Sequence, residues 1–448
     1  MEPVKFSPTD GLSYNPNQEI YWDEAALRKE IDRVFEICHS CRMCFKYCDA
    51  FPTLFDFIDK DNLSIRDFDE KQIEAIAERC FQCKICYFKC PYTDRDKHEF
   101  NLDFPRLIMR YKAIKAKHKG IPWRDRLLGN PDLIGQIGCS TAGLANWANQ
   151  NSANRIIMEN TLGISKEKKL PSFAPEKFYN WYQKNKLKYS IKPEEVKDRV
   201  VLFYTCFGNY NNTTIAKDAL FVLWKNKIQV EIPHLNCCGM PALESGNINF
   251  ARTEAENNYK ILIPYIQQGY KVLVLNPTCS LTMKEEYKIL LENKYAAADL
   301  ELFSKAIFDT NEYLFSLKRD DKFDRSFQST PGKVIYHVAC HLRAQNIGYR
   351  SRDMMKTIQG TSFILVEECC GHNGTWAMKK EFFKDSIRIG AKVFDQVKAN
   401  EHNLIASDCP LAAIQIEQGT GEPVLHTIQV LARAYREDGF NQKLKTEE

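Results

Sequence analysis

The sequence predicts an α+β multidomain chain, with an α-helical N-terminal module built on two cysteine quartets and two repeated α/β units after it. Three observations predict this. Eight cysteines near the N-terminus form two runs of identical spacing. Eight more fall into two sets offset by about 132 residues. Strand-like β-branched runs alternate with helical patterns only in the second half, as layered α/β units require.

The N-terminal element comes first. Cys38, Cys41, Cys44 and Cys48 stand as C-x2-C-x2-C-x3-C, and Cys80, Cys83, Cys86 and Cys90 repeat that spacing, with Pro91 following. This is the bacterial ferredoxin run for [4Fe–4S] clusters. Three cysteines two residues apart wrap one cluster, and the fourth reaches the other cluster in two-cluster proteins. On that rule Cys38, Cys41, Cys44 and Cys90 hold one cluster, and Cys80, Cys83, Cys86 and Cys48 the second. Zinc is the competing reading, although its sites pair two short C-x2-C knuckles rather than three consecutive steps. A thioredoxin-type C-x-x-C lacks its βαβ setting here.

Between the runs, Asp69 to Glu78 places Ile73, Ile76 and Ala77 on one side of a helix, so the module is expected to be a helical two-cluster ferredoxin. Asp49 stands where a proline often follows the fourth cysteine. Arg42, Lys46, Lys84 and Lys89 lie inside the loops, either raising cluster potentials or forming an ordinary solvated surface.

The repeated element is read by subtraction. Cys206, Cys237, Cys238 and Cys279 precede Cys340, Cys369, Cys370 and Cys409 by 134, 132, 132 and 130 residues. Gly239 and Gly371, each after a Cys-Cys pair, share the offset, as do Ala251, Ala255, Tyr259 and Leu262 with Phe383, Ile387, Ala391 and Phe394. This is an internal duplication. Val200 to Thr205, Val272 to Leu275, Val334 to Val338 and Leu404 to Ala406 read as strands, each leading into a cysteine. Ligands of parallel sheets sit at strand carboxyl ends, so these cysteines are cofactor-binding candidates. The glycines are expected to let backbone approach the cofactor closely.

The phrases YHVACHLR, EECCGHNGTW and SDCPLA carry a resemblance to the CCG domains of heterodisulfide reductase-related iron–sulfur oxidoreductases, including the C subunits of anaerobic glycerol-3-phosphate dehydrogenases. The full layout resembles that family over about Ile31 to Arg436. The resemblance implies further iron–sulfur clusters, one or two, in the CCG units. In the family's fullest form a closing C-x-x-C gives five cysteines per unit. Thr282 and Ala412 replace the last of these here, leaving four thiolates per unit and putting a five-ligand non-cubane cluster in doubt.

The chain divides on this reading into a tail at 1–29, the two-cluster module at 30–100, a mostly helical bridge at 101–198, and CCG units at 199–317 and 332–438. The bridge from Asn130 to Lys197 shows no chemistry of its own, and Lys318 to Pro331 reads as a connector. Cys139 reads as a buried small hydrophobe. His341 and His372 are placed to hydrogen-bond a cluster sulfur or move a proton, and His234 has no equivalent in the second unit. Asp103 to Lys119 reads as a basic amphipathic helix, with Leu107, Ile108, Tyr111 and Ile114 on one face and Arg106, Arg110, Lys112, Lys115, Lys117 and Lys119 as cations. Such a helix either packs on its domain or lies on an anionic membrane.

Composition bounds the function. A net charge of +4 in 448 residues is no nucleic-acid footprint. No leader pattern occupies Met1 to Asp10, and no apolar run approaches membrane-spanning length. Seventeen cysteines then point to metal or redox chemistry in the cytoplasm, where thiols stay reduced, with peripheral membrane contact through the basic helix as an option. No G-x-G-x-x-G turn or phosphate loop is present. The expectation is an iron–sulfur electron-transfer subunit without hydride chemistry of its own. The resemblance implies a flavoprotein subunit or rubrerythrin as redox protein partner and a quinone or second protein as acceptor. A thiol–disulfide reductase working at a CCG cluster is the rival, and a structural zinc adaptor the third reading.

Overall fold

The computed structural model describes residues 7–9 and 11–440, so most of Met1–Asp10 lies outside the described residues. The helical module begins with α1 (Glu24–Cys41), whose N-cap Asp23 accepts the Ala26 N–H. It continues through α2 (Ala50–Asp59), α3 (Glu70–Glu78) and the short α4 (Ile85–Lys89) to α5 (Phe104–Lys119). Asp69 and Gln72 close a capping box on α3, and Ile73, Ile76 and Ala77 are all buried. Leu27, Val34, Phe35, Phe51, Leu54, Ile76, Leu107 and Ile108 form the core, each such side chain contributing roughly 1.5–3 kcal/mol of burial.

Helix α5 starts on the Asp103 cap with Pro105 in its first turn. It is no free basic face. Arg110 is fully buried and donates to the carbonyls of Tyr21, Gly11, Ile20 and Asp23. Arg106 pairs with Asp103 and Glu286, Lys115 with Glu74 and Lys119 with Glu70. Packing on the domain accounts for the apolar face and for Arg106 and Arg110, while Lys117 and Lys119 stand exposed at the helix's C-terminal end.

The second half holds two four-stranded parallel sheets. The first comprises β1 (Asp198–Phe203), β2 (Ile228–Glu231), β3 (Lys271–Val274) and β4 (Ile307–Asp309), and the second β5 (Lys333–His337), β6 (Ser362–Val366), β7 (Leu404–Ser407) and β8 (Val424–His426). Their orders, β2-β1-β3-β4 and β6-β5-β7-β8, are the same topology twice. The central strands are covered on both faces, hence the unbroken apolar runs Val200–Phe203 and Leu404–Ala406. Edge strand β2 alternates buried and half-buried positions.

Strand β1 stops at Phe203, short of the cysteine, because Thr205 turns the chain at φ +61° and its hydroxyl accepts the Gly208 N–H. The units then cross-pack. Helix Thr310–Arg319, after β4, lies on Arg350–Met355 of the second unit, and Thr427–Ala434, after β8, lies on Thr213–Lys225 of the first. Lys318 and Arg319 thus complete a helix before the connector begins.

Candidate iron–sulfur centres

The two N-terminal loops are built alike. Arg42 and Lys84, each directly after the second cysteine of its run, adopt the left-handed conformation at φ +53° and +57°. That turn ends α1 at Cys41 and reverses the chain so that Cys44 and Cys86 face back into their loops. Non-glycine residues hold this conformation at about 1–2 kcal/mol each.

Burial first, then the neighbouring thiols Cys44, Cys90 and Cys41, pushes the Cys38 thiol well above its ordinary range. Burial, then Cys90 and Cys41, pushes Cys44 up to about 12. Cys48 is raised by burial and by Cys80 and Cys83, and Cys86 by burial and by Cys83, Cys48 and Cys80. The fourth cysteine of each run therefore stands among the thiols of the other run.

The remaining cysteines sit at the topological switch points. Cys206 follows β1 and Cys279 follows β3, adjacent strands from which the chain departs in opposite directions. Cys340 and Cys409 follow β5 and β7 in the same way. Cys206, Cys237, Cys238 and Cys279 form a row of sulfurs in which each shifts the next. Cys340 faces Cys369, Cys409 and Cys370.

Four clustered thiols, buried or half-buried, that mutually disfavour ionisation call for a cationic partner, and the donor sets fit a four-cysteine iron–sulfur group in chemistry and number. Among the described residues, no three His, Cys, Asp or Glu side chains converge as a ready-made shell for a metal ion.

The sites also meet one another. The Cys340–Ala344 helix packs on α4, which carries Cys86, and on Pro277–Leu281, which carries Cys279. Cys340 is shifted by Cys83, Cys48 by Cys369, and Cys279 by Cys409. Phe81 packs against Trp376 at the same junction, ring centroids 4.7 Å apart and planes tilted by 57°, beside Cys369. Both units thus adjoin the helical module, the first through Glu286 on Lys84 and Arg106 and the second through the helix that carries Cys340.

His341 links all three parts. Its Nε2–H donates to the Gln82 carbonyl at 3.0 Å and Nδ1 accepts from Thr278 Oγ1 at 2.7 Å. Both nitrogens are taken, and burial pushes the ring down to about 4, so it serves as a neutral crosslink rather than a sulfur donor or a proton carrier near neutral pH. His372 is buried and neither ring nitrogen has a partner in hydrogen-bonding geometry.

Other readings shift likewise. Gly239 and Gly371, at φ +87° and +76°, crowd the Ala251 and Ser386 carbonyls of the next helix, so close helix packing, not cofactor approach, excludes a Cβ. Lys84 is buried in an ion pair with Glu286, Arg42 pairs with Asp59, and Lys46 and Lys89 are exposed. Cys139 is buried, its thiol donating to the Tyr210 carbonyl at 3.2 Å.

The bridge contributes what its sequence did not announce. Asp132 Oδ2 accepts the Cys237 N–H at 2.6 Å. Lys168, only 2% exposed, donates to Gln415 Oε1 and faces Cys370. The helices over 131–162 leave Ile137, Leu144, Trp147 and Ile157 outside, with Leu144 67% exposed. Helically spaced apolar residues nearly free of charge were the available signal. Among the described residues no helix is long and apolar enough to cross a membrane.

Comparison with known proteins places these features. The CCG cysteine-rich domain matches residues 200–284 and 334–417. The C subunit of anaerobic glycerol-3-phosphate dehydrogenase from Escherichia coli (strain K12) is 28% identical over 318 residues, covering 69% of this chain and 77% of the relative. The B subunit of the CoM/CoB fumarate reductase from Methanothermobacter marburgensis is 25% identical over 252 residues, 54% of this chain and 47% of the relative. Lactate utilization protein A of Bacillus pumilus is 23% identical over 216 residues, 47% and 87%. The duplicated sheets with cysteines at their switch points are therefore two CCG cysteine-rich domains, in a chain homologous to the C subunit of anaerobic glycerol-3-phosphate dehydrogenase and the B subunit of CoM/CoB fumarate reductase.

Proposed function

We propose that the chain is an iron–sulfur electron-transfer subunit whose four cysteine quartets act in series. The observation that carries this is packing: the Cys340–Ala344 helix lies on the helix that carries Cys86 and on Pro277–Leu281, which carries Cys279, so the cysteine sites of the helical module, the second CCG unit and the first follow one another. Residues 30–100 carry the two-cluster module, 101–198 the bridge, whose first helix α5 completes the module's core, and 199–317 and 332–438 the CCG units. Cys38, Cys41, Cys44 and Cys90 hold the outer [4Fe–4S] cluster, and Cys48, Cys80, Cys83 and Cys86 the inner one. Bound clusters supply one-electron carriers; the protein sets their spacing, order and surroundings.

A redox protein partner, a flavoprotein subunit or a rubrerythrin, docks at the outer cluster, where Met43 and Phe45 stand exposed in the first loop. Between the two CCG units a cleft of about 690 Å³ opens beside Phe207, next to Cys206, lined also by Trp181, Phe221, Lys217 and Arg436. It offers room for a quinone or for a partner's side chain. Peripheral membrane contact uses the exposed apolar face at Ile137, Leu144 and Trp147. Vesicle flotation that survives Leu144→Asn with Trp147→Ser would remove that part of the proposal.

The test is iron and sulfide per chain on anaerobically purified protein. About sixteen irons are expected with all quartets loaded, and about eight would confine clusters to the helical module. Cys340→Ser then isolates the first CCG unit, whose spectral changes on reduction by a protein donor are expected to disappear. Equimolar zinc without acid-labile sulfide would replace this reading with a structural adaptor, and turnover of a disulfide would replace it with a reductase.

A further inference from the structure

The duplicated sites share thiols and topology, but the bridge touches them with opposite charges. At the second site Lys168 is buried, and its Nζ has Gln415 Oε1 as acceptor and Cys370 as neighbour. No described carboxylate pairs with it. Gln415 is fully buried, and its Nε2 points to the Ser386 carbonyl at 3.4 Å, which leaves its oxygen for the lysine. An ammonium buried with one neutral acceptor is costly unless an anion stands nearby. His372, two residues after Cys370 and 3% exposed, adds ring nitrogens without a partner in the same place.

The first site is the reverse. The Asp132 carboxylate lies on the Cys237 N–H at 2.6 Å, with His234 as the basic group facing it. Glu254 is buried on the helix that packs under Gly239. At the repeat offset of 132 residues its counterpart is Ser386. One unit therefore has a carboxylate where the other has a hydroxyl.

We propose that the bridge splits the potentials of the duplicated sites: Lys168 is the buried counter-cation of an anionic iron–sulfur group on Cys340, Cys369, Cys370 and Cys409, and Asp132 sets negative charge against its twin on Cys206, Cys237, Cys238 and Cys279. The inference rests on the reading that both CCG units hold clusters. Each reduction adds one electron, delivered from the inner N-terminal cluster, and breaks no bond. The added negative charge is stabilised beside Lys168 and disfavoured beside Asp132. The second unit, whose Cys340 helix packs on the helix that carries Cys86, is thus the site where electrons collect before passing to the first.

The experiment is an EPR-monitored redox titration of anaerobic full-length holoprotein, with the two CCG signals assigned through Cys279→Ser and Cys409→Ser. Lys168→Met is expected to shift the second-site equilibrium at least tenfold toward oxidised, 59 mV for one electron. Asp132→Asn is expected to shift the first site as far toward reduced. Lys168→Arg keeps the wild-type value, and the N-terminal signals do not move. Wild-type protein with only about eight irons would overturn the underlying cluster reading. Full iron content with unshifted Lys168→Met and Asp132→Asn signals would overturn the charge splitting alone. If Lys168→Met loses second-site iron, retention by Lys168→Arg supports the counter-cation role and its loss there overturns it.

Discussion

Acidification is predicted to loosen the second CCG unit more than the first, because of His337 at its strand end. This residue ends β5, three positions before Cys340. Its Nδ1 lies 3.0 Å from Ser407 Oγ, and its Nε2–H donates to the Glu368 carbonyl at 3.2 Å. One ring thereby ties the loop before Cys369 to the strand end before Cys409. Burial pushes the imidazole from its ordinary 6.5 down to about 4. The first unit has Phe203 at the matching strand end, which cannot titrate.

The sign follows from linkage. Above pH 6.5 the ring is neutral whether the unit is folded or open, and its contribution is complete. As pH falls below 6.5 the open form takes a proton that the folded form refuses, and stability is lost down to about pH 4. The full span is worth about 3.4 kcal/mol, of which about 1.4 kcal/mol, a tenfold change in local opening, is lost by pH 5.5. Hydrogen–deuterium exchange of peptides over 362–370 and 404–412 at pH 7.5 and 5.5, corrected for intrinsic exchange, reads this directly. The peptide over 228–240 serves as the internal control, since 271–282 carries Leu275 and Thr278, which bond His426 and His341. His337→Gln is expected to remove the part of the pH dependence that His337 supplies, leaving the part from His341 and His426. Equal loosening of both units, or none in the second, would refute the reasoning.

Three further outcomes are expected. Cys279→Ser and Cys409→Ser should each remove about four of about sixteen irons while sparing the helical module, as iron analysis and EPR will read. Lys84→Met leaves Glu286, whose carboxyl Lys84 and Arg106 hold down at about 2 against its burial, short of its closer cation; a cost of about 3 kcal/mol should appear as earlier calorimetric release of the helical module, with Lys84→Arg milder. Arg110→Met strands four backbone carbonyls and should open the segment 11–23 to proteolysis without loss of iron.

The cysteine logic was legible because its signals are local. Ligand spacing is written within eleven residues, and a duplicated unit repeats its pattern at a fixed offset. Strand placement held to within two residues, failing where Thr205 departs from extended backbone for a side-chain cap. Charges were visible without their partners. Arg110 falls among the polar positions of α5, yet α5 is held between α1 and the N-terminal segment, so its guanidinium serves four carbonyls. Asp132 and Lys168 were illegible for the same reason, since each acts on cysteines a hundred or more residues away. The order of the sites was hidden too, because only tertiary packing brings the Cys340 helix onto the helix that carries Cys86.

The missing fifth cysteines can be seen in that light. Thr282 and Ala412 lie three residues after Cys279 and Cys409, one helical turn along and on the same side as the cysteine. Both are buried, and Thr282 has turned its hydroxyl to the Thr278 carbonyl at 2.7 Å. A small inert side chain thus fills the place in each unit, and neither gains a thiol the other lacks. Ligand number therefore cannot distinguish the duplicated sites. What does distinguish them lies around the quartets: Asp132 and Lys168 from the bridge, Glu254 against Ser386, and Phe203 against His337. For a relay this is the economical place for divergence, because it changes the energy of an electron at each site without disturbing the cysteines that hold the carrier.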